Sequence, residues 1–241
     1  VRHYPQWGMR ISALVVVILF VAAAHTVFTN DNLQWPVVFS YLFNSAILEG
    51  VRGTLALTFG SLVIAVLSGF LVAYMGQGNQ VMRMVSHLYI WWFRGVPLLV
   101  QLLFWFNIAL LFPKIWAGVP FTDIGQSIRT NDIVSATTAA LLGLGLHEGA
   151  YMAEIVRSGI ISVPEGQTEA ALTIGMTRAE ALRRIVFPQM IRVIIPPTGN
   201  LAISLLKASS LVAAIGGGEL LSTAEFIYGQ NFAGIPPLIV A

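Results

Sequence analysis

Long apolar runs separated by short polar segments limit the folds open to this chain. Five runs and the start of a sixth lie at residues 11–28, 51–74, 85–112, 133–156, 190–215 and 233–241. A helix needs about 20 apolar residues to cross a bilayer. Hydrophobic residues make up 56% of the chain and charged residues 10%, whereas soluble domains carry about 25% charged residues. The sequence predicts an all-α membrane protein with five complete spans and the start of a sixth.

Three of these runs need further interpretation. The first has a basic flank and Ala22–Ala24, which would also suit a signal peptide; we interpret it as the first span. The third is interrupted by Arg94 to Pro97, so we expect a short interfacial segment and then a span that begins near Pro97. We expect the native chain to continue beyond residue 241 and complete the sixth span.

Basic residues are unevenly divided between the two ends of the runs. With the N-terminus inside, nine arginines fall on the inner side and three basic residues, Arg52, Lys114 and Arg129, on the outer side. Cytoplasmic segments carry the excess of Lys and Arg. This orientation places residues 162–188 in the cytoplasm.

A helical loop at residues 162–188 joins the fourth and fifth runs. Ser162 with Glu165, and Thr177 with Glu180, each form the S/T-x-x-E pattern of a capping box. Gly175 lies where the first helix needs a residue that accepts positive φ. We expect Pro188 to end the second helix, because it has no N–H. The pattern predicts a helix, a glycine turn and a second helix, which either lie as a basic loop at the membrane surface or dock on a soluble partner.

Polar residues in the fourth run are candidates for a substrate path. His147, Tyr151 and Glu154 share one face of a helix, and Glu148 lies to one side. A charge at the bilayer centre costs roughly 2.5–3.5 kcal/mol on insertion scales, so such residues usually face a partner or a water-filled path. Alternatively, the carboxylates bond to neighbouring helices or to nearby arginines, and the adjacent glycines permit close packing or a local break.

Two further cations lie in or beside the runs. Lys207 lies within the fifth run, where it would snorkel, neutralise a glutamate or meet a substrate carboxylate. Arg94 is interpreted as an interfacial anchor, with a contact to the helical loop or to a partner as the alternative.

Several kinds of chemistry are excluded by the motifs that are missing. Neither Lys114 nor Lys207 completes a GxxxxGK[S/T] phosphate-binding loop, so we expect no ATP hydrolysis by that route. His147-Glu148 has no second histidine at position 151, so it is not an HExxH zinc site. There is no cysteine. We expect no metal or cofactor in this chain and no nucleic-acid partner.

Several segments resemble the polar amino acid permeases (histidine, glutamine, glutamate and arginine type) of the ABC importers. Glu169-Ala170-Ala171 with Gly175 matches their EAA loop, and Val96 and Ala208 depart from the pattern where Thr is expected. The other matching segments are residues 94–101, 150–155, 162–167, 187–189, 207–211 and 219–220. The resemblance covers roughly residues 50–241.

The resemblance implies a type I ABC importer transmembrane domain at residues 50–241, preceded at 1–49 by a cytoplasmic N-terminus, the first span and an outer loop. It implies a bacterial cytoplasmic membrane protein that pairs with a second permease chain, an ATPase dimer that uses ATP and Mg, and an external amino acid-binding protein. The residues that would couple to the ATPase are Glu169, Ala170, Ala171, Gly175 and Arg178. The alternative is an ion-coupled secondary transporter or channel that uses His147, Glu148 and Lys207 as a relay.

Overall fold

The computed structural model describes residues 7–118, 125–231 and 236–240, and helices dominate these ranges. The helices are α1 (Trp7–Phe28), α2 (Trp35–Tyr41), α3 (Ser45–Met75), α4 (Gln80–Gly95), α5 (Leu98–Phe106), α6 (Ile108–Leu111), α7 (Thr130–Ile133), α8 (Ala136–Ile161), α9 (Glu165–Thr173), α10 (Arg178–Ala181), α11 (Phe187–Ala208), α12 (Leu220–Asn231) and α13 (Pro236–Val240). Short 3-10 turns occupy Asp31–Leu33 and Ser209–Ile215, and a π-turn occupies Leu182–Val186.

The sequence predicts a loop from Lys114 to Asp132 on the outer side, and a two-stranded antiparallel hairpin forms within it. Strand β1 (Lys114–Gly118) pairs with β2 (Gly125–Arg129), and Lys114 lies opposite Arg129. Pro120 and Asp123 of this predicted loop lie outside the described residues. The start of the sixth run lies partly outside them too, and α13 covers its middle.

The chain divides into two compact units. One contains residues 49–222, and the other contains residues 1–48 and 223–241, in which α2 packs against α13. All the residues predicted for the substrate path and the helical loop belong to the unit formed by residues 49–222.

Within the described ranges, three helical stretches are long and apolar enough to cross a membrane. They are Trp7–Phe28, Ser45–Met75 and the continuous stretch Arg178–Ile215. The pair α4 and α5 would make a fourth span, although the two helices are bent by 102°. Helix α8 follows the predicted fourth run, but its glycines, hydroxyls and charges lower its hydropathy. The count of five spans and the start of a sixth stays a prediction.

The prediction that Pro188 ends a helix is wrong. Helices α10 and α11 are continuous through the π-turn Leu182–Val186, and Pro188 lies in the first turn of α11. The N–H of Phe187 bonds to the carbonyl of Leu182, five residues back. This wider turn lies just before the proline, where a regular helix would lose a hydrogen bond and meet a ring clash.

Helix α8 is the centre of the core in the unit formed by residues 49–222. It packs against α4, α5 and α11, and Leu102, Leu144, Met152 and Leu205 are among the most deeply buried side chains. Gly149 lets α3 approach closely, because a Cβ there would lie 2.1 Å from Ser68 Oγ. Since α8 is unbroken from Ala136 to Ile161, the glycines serve close packing rather than a local break.

Candidate functional site

The polar face of α8 contacts the break between α4 and α5. The rings of His147 and Tyr151 are in tilted contact with centroids 5.4 Å apart, and the Arg94 guanidinium lies 5.0 Å from the centroid of Tyr151. A cation over an aromatic face is attracted by the ring quadrupole. The structure therefore brings together His147 and Tyr151, which were predicted as path residues, with Arg94, which was interpreted as an anchor.

Gln101 is a central residue of this contact that the sequence interpretation missed. Its Nε2 lies 2.9 Å from Phe93 O, 2.8 Å from Val96 O and 3.0 Å from His147 Nδ1. In an uninterrupted helix, Phe93 O would accept from the N–H of residue 97, but residue 97 is proline. The signal in the sequence was a glutamine four residues after a proline in an apolar run.

The carbonyl oxygen of Gln101, unlike its amide nitrogen, has no hydrogen-bond partner among the described residues. Gln101 is only 3% exposed, and Oε1 finds no donor among the described residues. A buried acceptor without a partner costs about 1–3 kcal/mol. Ser61 Oγ is also buried and has no hydrogen-bond partner within the described ranges.

Glu148 is buried, with 8% of its surface exposed. It forms no ion pair with any residue in the described part of the chain. A buried carboxylate is stable when it is hydrogen-bonded, paired or neutralised. Among the described residues, Glu148 is therefore a buried carboxyl group without an ion pair.

Glu154 and Lys207, two other predicted path residues, are not joined to Glu148. Glu154 bonds at 2.6 Å to Arg157 on its own helix, as the structural alternative expected. Lys207 is exposed on α11 and makes no ion pair within the described residues. It therefore does not neutralise Glu148 or Glu154 in this chain.

The turn of the helical loop forms as the sequence predicted. Gly175 has φ +89°, in the region that favours glycine. Thr177 and Glu180 form a complete capping box at the start of α10. Hydrogen bonds from the backbone N–H and then the hydroxyl of Thr177 lower the pKa of Glu180.

The other predicted capping box is wrong. Ser162 is in helical conformation at the end of α8, and its hydroxyl donates to Gly159 O. Helix α9 instead begins after Pro164, which makes no side-chain capping bond. The prolyl ring sets a backbone φ suited to a helix start, so the helix begins without the serine.

The helical loop presents an exposed surface. Glu169, Ala170, Gly175 and Arg178 are exposed, and Ala171 is buried. Ile174 is 76% exposed, which the sequence interpretation did not anticipate. A single exposed apolar side chain is common on protein surfaces, so this exposure alone does not identify a partner site.

A cavity of about 860 Å³ lies between the helical loop and the ends of α3, α4 and α8. The loop residues Glu169 and Arg178 line it, and so do Glu154 and Arg157 of α8 and His87 of α4. The cavity therefore brings two residues predicted to couple to an ATPase together with one predicted path residue.

Comparison with known proteins identifies the family. Residues 61–241 match the family described as the binding-protein-dependent transport system inner membrane component. The chain belongs to this family. Its long apolar helices are therefore membrane-embedded. The alternative of an ion-coupled secondary transporter is not favoured, because the family comprises components of binding-protein-dependent systems.

Curated members of this family match over most of their length. The arginine transport system permease protein ArgU of Corynebacterium glutamicum is 42% identical over 100% of this chain and 74% of its own length. The probable amino-acid permease protein YxeN of Bacillus subtilis is 34% identical over 83% of both chains. The crystal structure of an amino acid ABC transporter with histidines has a TM-score of 0.68 at 35% identity, covering 81% of this chain and 84% of that one.

Proposed function

We propose that this chain is the permease subunit of an ATP-driven ABC importer that moves a polar or charged amino acid across the bacterial cytoplasmic membrane. The observation that carries the proposal is the 42% identity with an arginine permease along the whole chain. Arginine is therefore the first substrate to test, and Glu148 would suit its cationic side chain.

The proposed membrane arrangement has five complete spans and the start of a sixth, with the N-terminus in the cytoplasm. Arg178–Ile215 would be about 57 Å long at about 1.5 Å per residue, whereas the hydrocarbon core is about 30 Å thick. Its first turns carry Arg178, Glu180, Arg183 and Arg184. We place these turns outside the membrane, on the cytoplasmic side where basic residues are in excess.

The proposed partners supply what this chain lacks. An ATPase dimer would bind ATP and Mg and would hydrolyse the nucleotide. An external binding protein would deliver the amino acid. A second permease chain, identical or homologous, would cover the exposed face of α11, where Lys207 and Asn200 are too polar to face lipid.

Two groups of residues have proposed roles in coupling and transport. Ile174 and the exposed Glu169, Ala170 and Arg178 would contact the ATPase, while Gly175 holds the turn and Ala171 packs inward. The cavity between the helical loop and α8 would then lie where movement of the loop meets the inner end of the substrate path. Closure of the ATPase dimer would switch the path residues His147, Glu148, Tyr151, Glu154 and Lys207 between outward and inward access.

Transport by the reconstituted complex tests this proposal. The permease, its ATPase and its binding protein are placed in proteoliposomes, and uptake is measured for arginine, histidine, glutamine and glutamate with ATP inside. We expect ATP-dependent uptake of at least one of these amino acids that persists when a protonophore collapses the proton gradient. Uptake that needs the gradient and ignores ATP would contradict the proposal.

A further inference from the structure

Gln101 joins three parts of the molecule that are distant in sequence. Its amide nitrogen contacts Phe93 O at the end of α4, Val96 O in the break, and His147 Nδ1 on α8, all within 3.0 Å. Phe93 O receives no backbone N–H from residue 97, because that residue is proline, and Val96 O lies in the break between α4 and α5. The Gln101 side chain donates to both carbonyls.

The same contact bears on which ring nitrogen of His147 carries the proton. The amide nitrogen of Gln101 carries two hydrogens and no acceptor. Its two hydrogens are shared among three acceptors, one of which is His147 Nδ1. With the ring proton on Nε2, Nδ1 accepts from the amide. A hydrogen on Nδ1 would instead face the amide NH₂ group or Phe93 O, which is also a hydrogen-bond partner of the ring. The assignment of the amide itself follows from the two carbonyls, which can only accept.

The contacts around His147 continue towards the inner boundary. Its ring is in tilted contact with Tyr151, and Arg94 of α4 lies over the Tyr151 ring. Tyr89 on α4 also donates to Leu146 O at 2.6 Å. Helix α4 is thus held to α8 before the break by Tyr89 and Arg94, and Gln101 links α5 to α8 after it.

We propose that Gln101 is the positioning residue of the candidate substrate path: its amide splints the break between α4 and α5 and holds His147 on α8 in its Nε2–H tautomer. The inference rests on the proposed function for the meaning of the path. Through Gln101, a movement of α4 would be transmitted to the face of α8 that carries His147, without passing through the helical loop.

The first test reads the His147 ring directly. Ring nitrogen NMR of ¹⁵N-histidine-labelled transporter distinguishes the two tautomers, and a His147→Asn variant assigns the signal. Methionine has nearly the shape of glutamine and donates no hydrogen bond, so Gln101→Met should give a mixture of tautomers. Asn107→Leu removes an amide that lies just after α5 and bonds back to Leu103 O, and it should leave the signal unchanged. An unchanged His147 signal in Gln101→Met would overturn the inference.

The second test reads coupling in the complete transporter. We expect Gln101→Met to lose at least tenfold of the stimulation of ATPase activity by the loaded binding protein, whereas Asn107→Leu keeps it. Stimulation at the wild-type level in Gln101→Met would contradict the inference. Failure of the wild type to transport any amino acid would instead contradict the proposed function, because the NMR test needs no transport.

A third variant pair covers the case in which Gln101→Met does not assemble. The Oδ1 of asparagine can replace His147 Nδ1 as an acceptor, and leucine cannot. We expect stimulation in His147→Asn to exceed that in His147→Leu by several fold. Equal stimulation in the two variants would overturn the link between Gln101 and His147.

Discussion

At the scale of single residues, Glu148 and Glu154 differ in their surroundings although both lie on α8. Glu154 bonds to Arg157 three residues later, and Glu148 is buried without an ion pair among the described residues. The unpaired carboxyl group is therefore the better candidate to bind a cationic substrate.

Glu148→Gln should weaken transport of a cationic amino acid. A hydrogen bond to a charged group contributes about 1.5–3 kcal/mol, so the half-saturating concentration should rise about ten- to a hundredfold. The measurement is the concentration dependence of uptake in proteoliposomes. Glu154→Gln is the matched control and should change it less than threefold. Equal effects of the two variants would show that Glu148 has only a structural role.

The sequence revealed some of these residue-level relations and could not reveal others. The pairing of Glu154 with Arg157 is visible from a spacing of three on a helix. The contact of Gln101 with His147 joins residues 46 positions apart, and no local pattern encodes it. The exposure of Ile174 was also hidden, because it depends on how α9 lies against the rest of the loop.

At the scale of elements, the turn of the helical loop depends on the backbone of Gly175. A Cβ at Gly175 would meet no atom within 4 Å, so a substitution there acts through φ alone. The left-handed backbone costs other residues about 1–3 kcal/mol. A substitution at Gly175 therefore tests the conformation of the turn without disturbing side-chain packing.

Gly175→Val should reduce binding-protein-stimulated ATPase activity at least fivefold without loss of membrane insertion. Gly166→Val is the control, because Gly166 lies in α9 with ordinary φ and open space around it. The measurement is ATPase activity of reconstituted complexes of equal subunit content. If Gly175→Val couples as well as Gly166→Val, the turn has no part in coupling.

The capping box of α10 should respond to pH. The pKa of Glu180 is lower in the folded chain than in the unfolded chain, so the box stabilises α10 above the unfolded pKa. This stabilisation is lost as the pH falls through the folded pKa. Hydrogen exchange of residues 177–186, corrected for intrinsic rates, should show protection that declines in that acidic range.

Two variants separate the titration of Glu180 from its hydrogen bonds. Gln can fill the same position of a capping box, so Glu180→Gln should keep the protection and lose its pH dependence. Glu180→Ala should lose protection at every pH. An acid-induced decline that persists in Glu180→Gln would assign the effect to another group.

Local patterns predicted the helical loop unevenly. The side chains of Thr177 and Glu180 bond to each other's backbone N–H and form the predicted capping box. The hydroxyl of Ser162 donates instead to Gly159 O at the end of α8, so it does not cap α9. The continuation of the helix through Pro188 needed the π-turn before it. The rule that proline ends a helix assumes regular α-helical hydrogen bonds before the proline. It therefore does not predict a π-turn there.

At the scale of the whole molecule, coupling to the ATPase requires that the helical loop lie on the cytoplasmic side of the membrane. Apolar runs predicted that this is a membrane protein. Helix α8 is not among the helices that are apolar enough to count as spans, because its packing glycines and path residues make it less apolar than a lipid-facing helix. Orientation came from the arginines alone. It therefore needs an independent measurement.

The absence of cysteine makes that measurement clean, because each single-cysteine variant carries one thiol. Ile174→Cys places it on the exposed turn of the helical loop, and Leu110→Cys places it on α6, where the side chain is 79% exposed. A membrane-impermeant maleimide is then applied to right-side-out and inside-out vesicles. We expect Ile174→Cys to react only in inside-out vesicles and to be protected by the bound ATPase, and Leu110→Cys to react only in right-side-out vesicles. Reaction of Ile174→Cys from the outside, or no protection by the ATPase, would contradict the account.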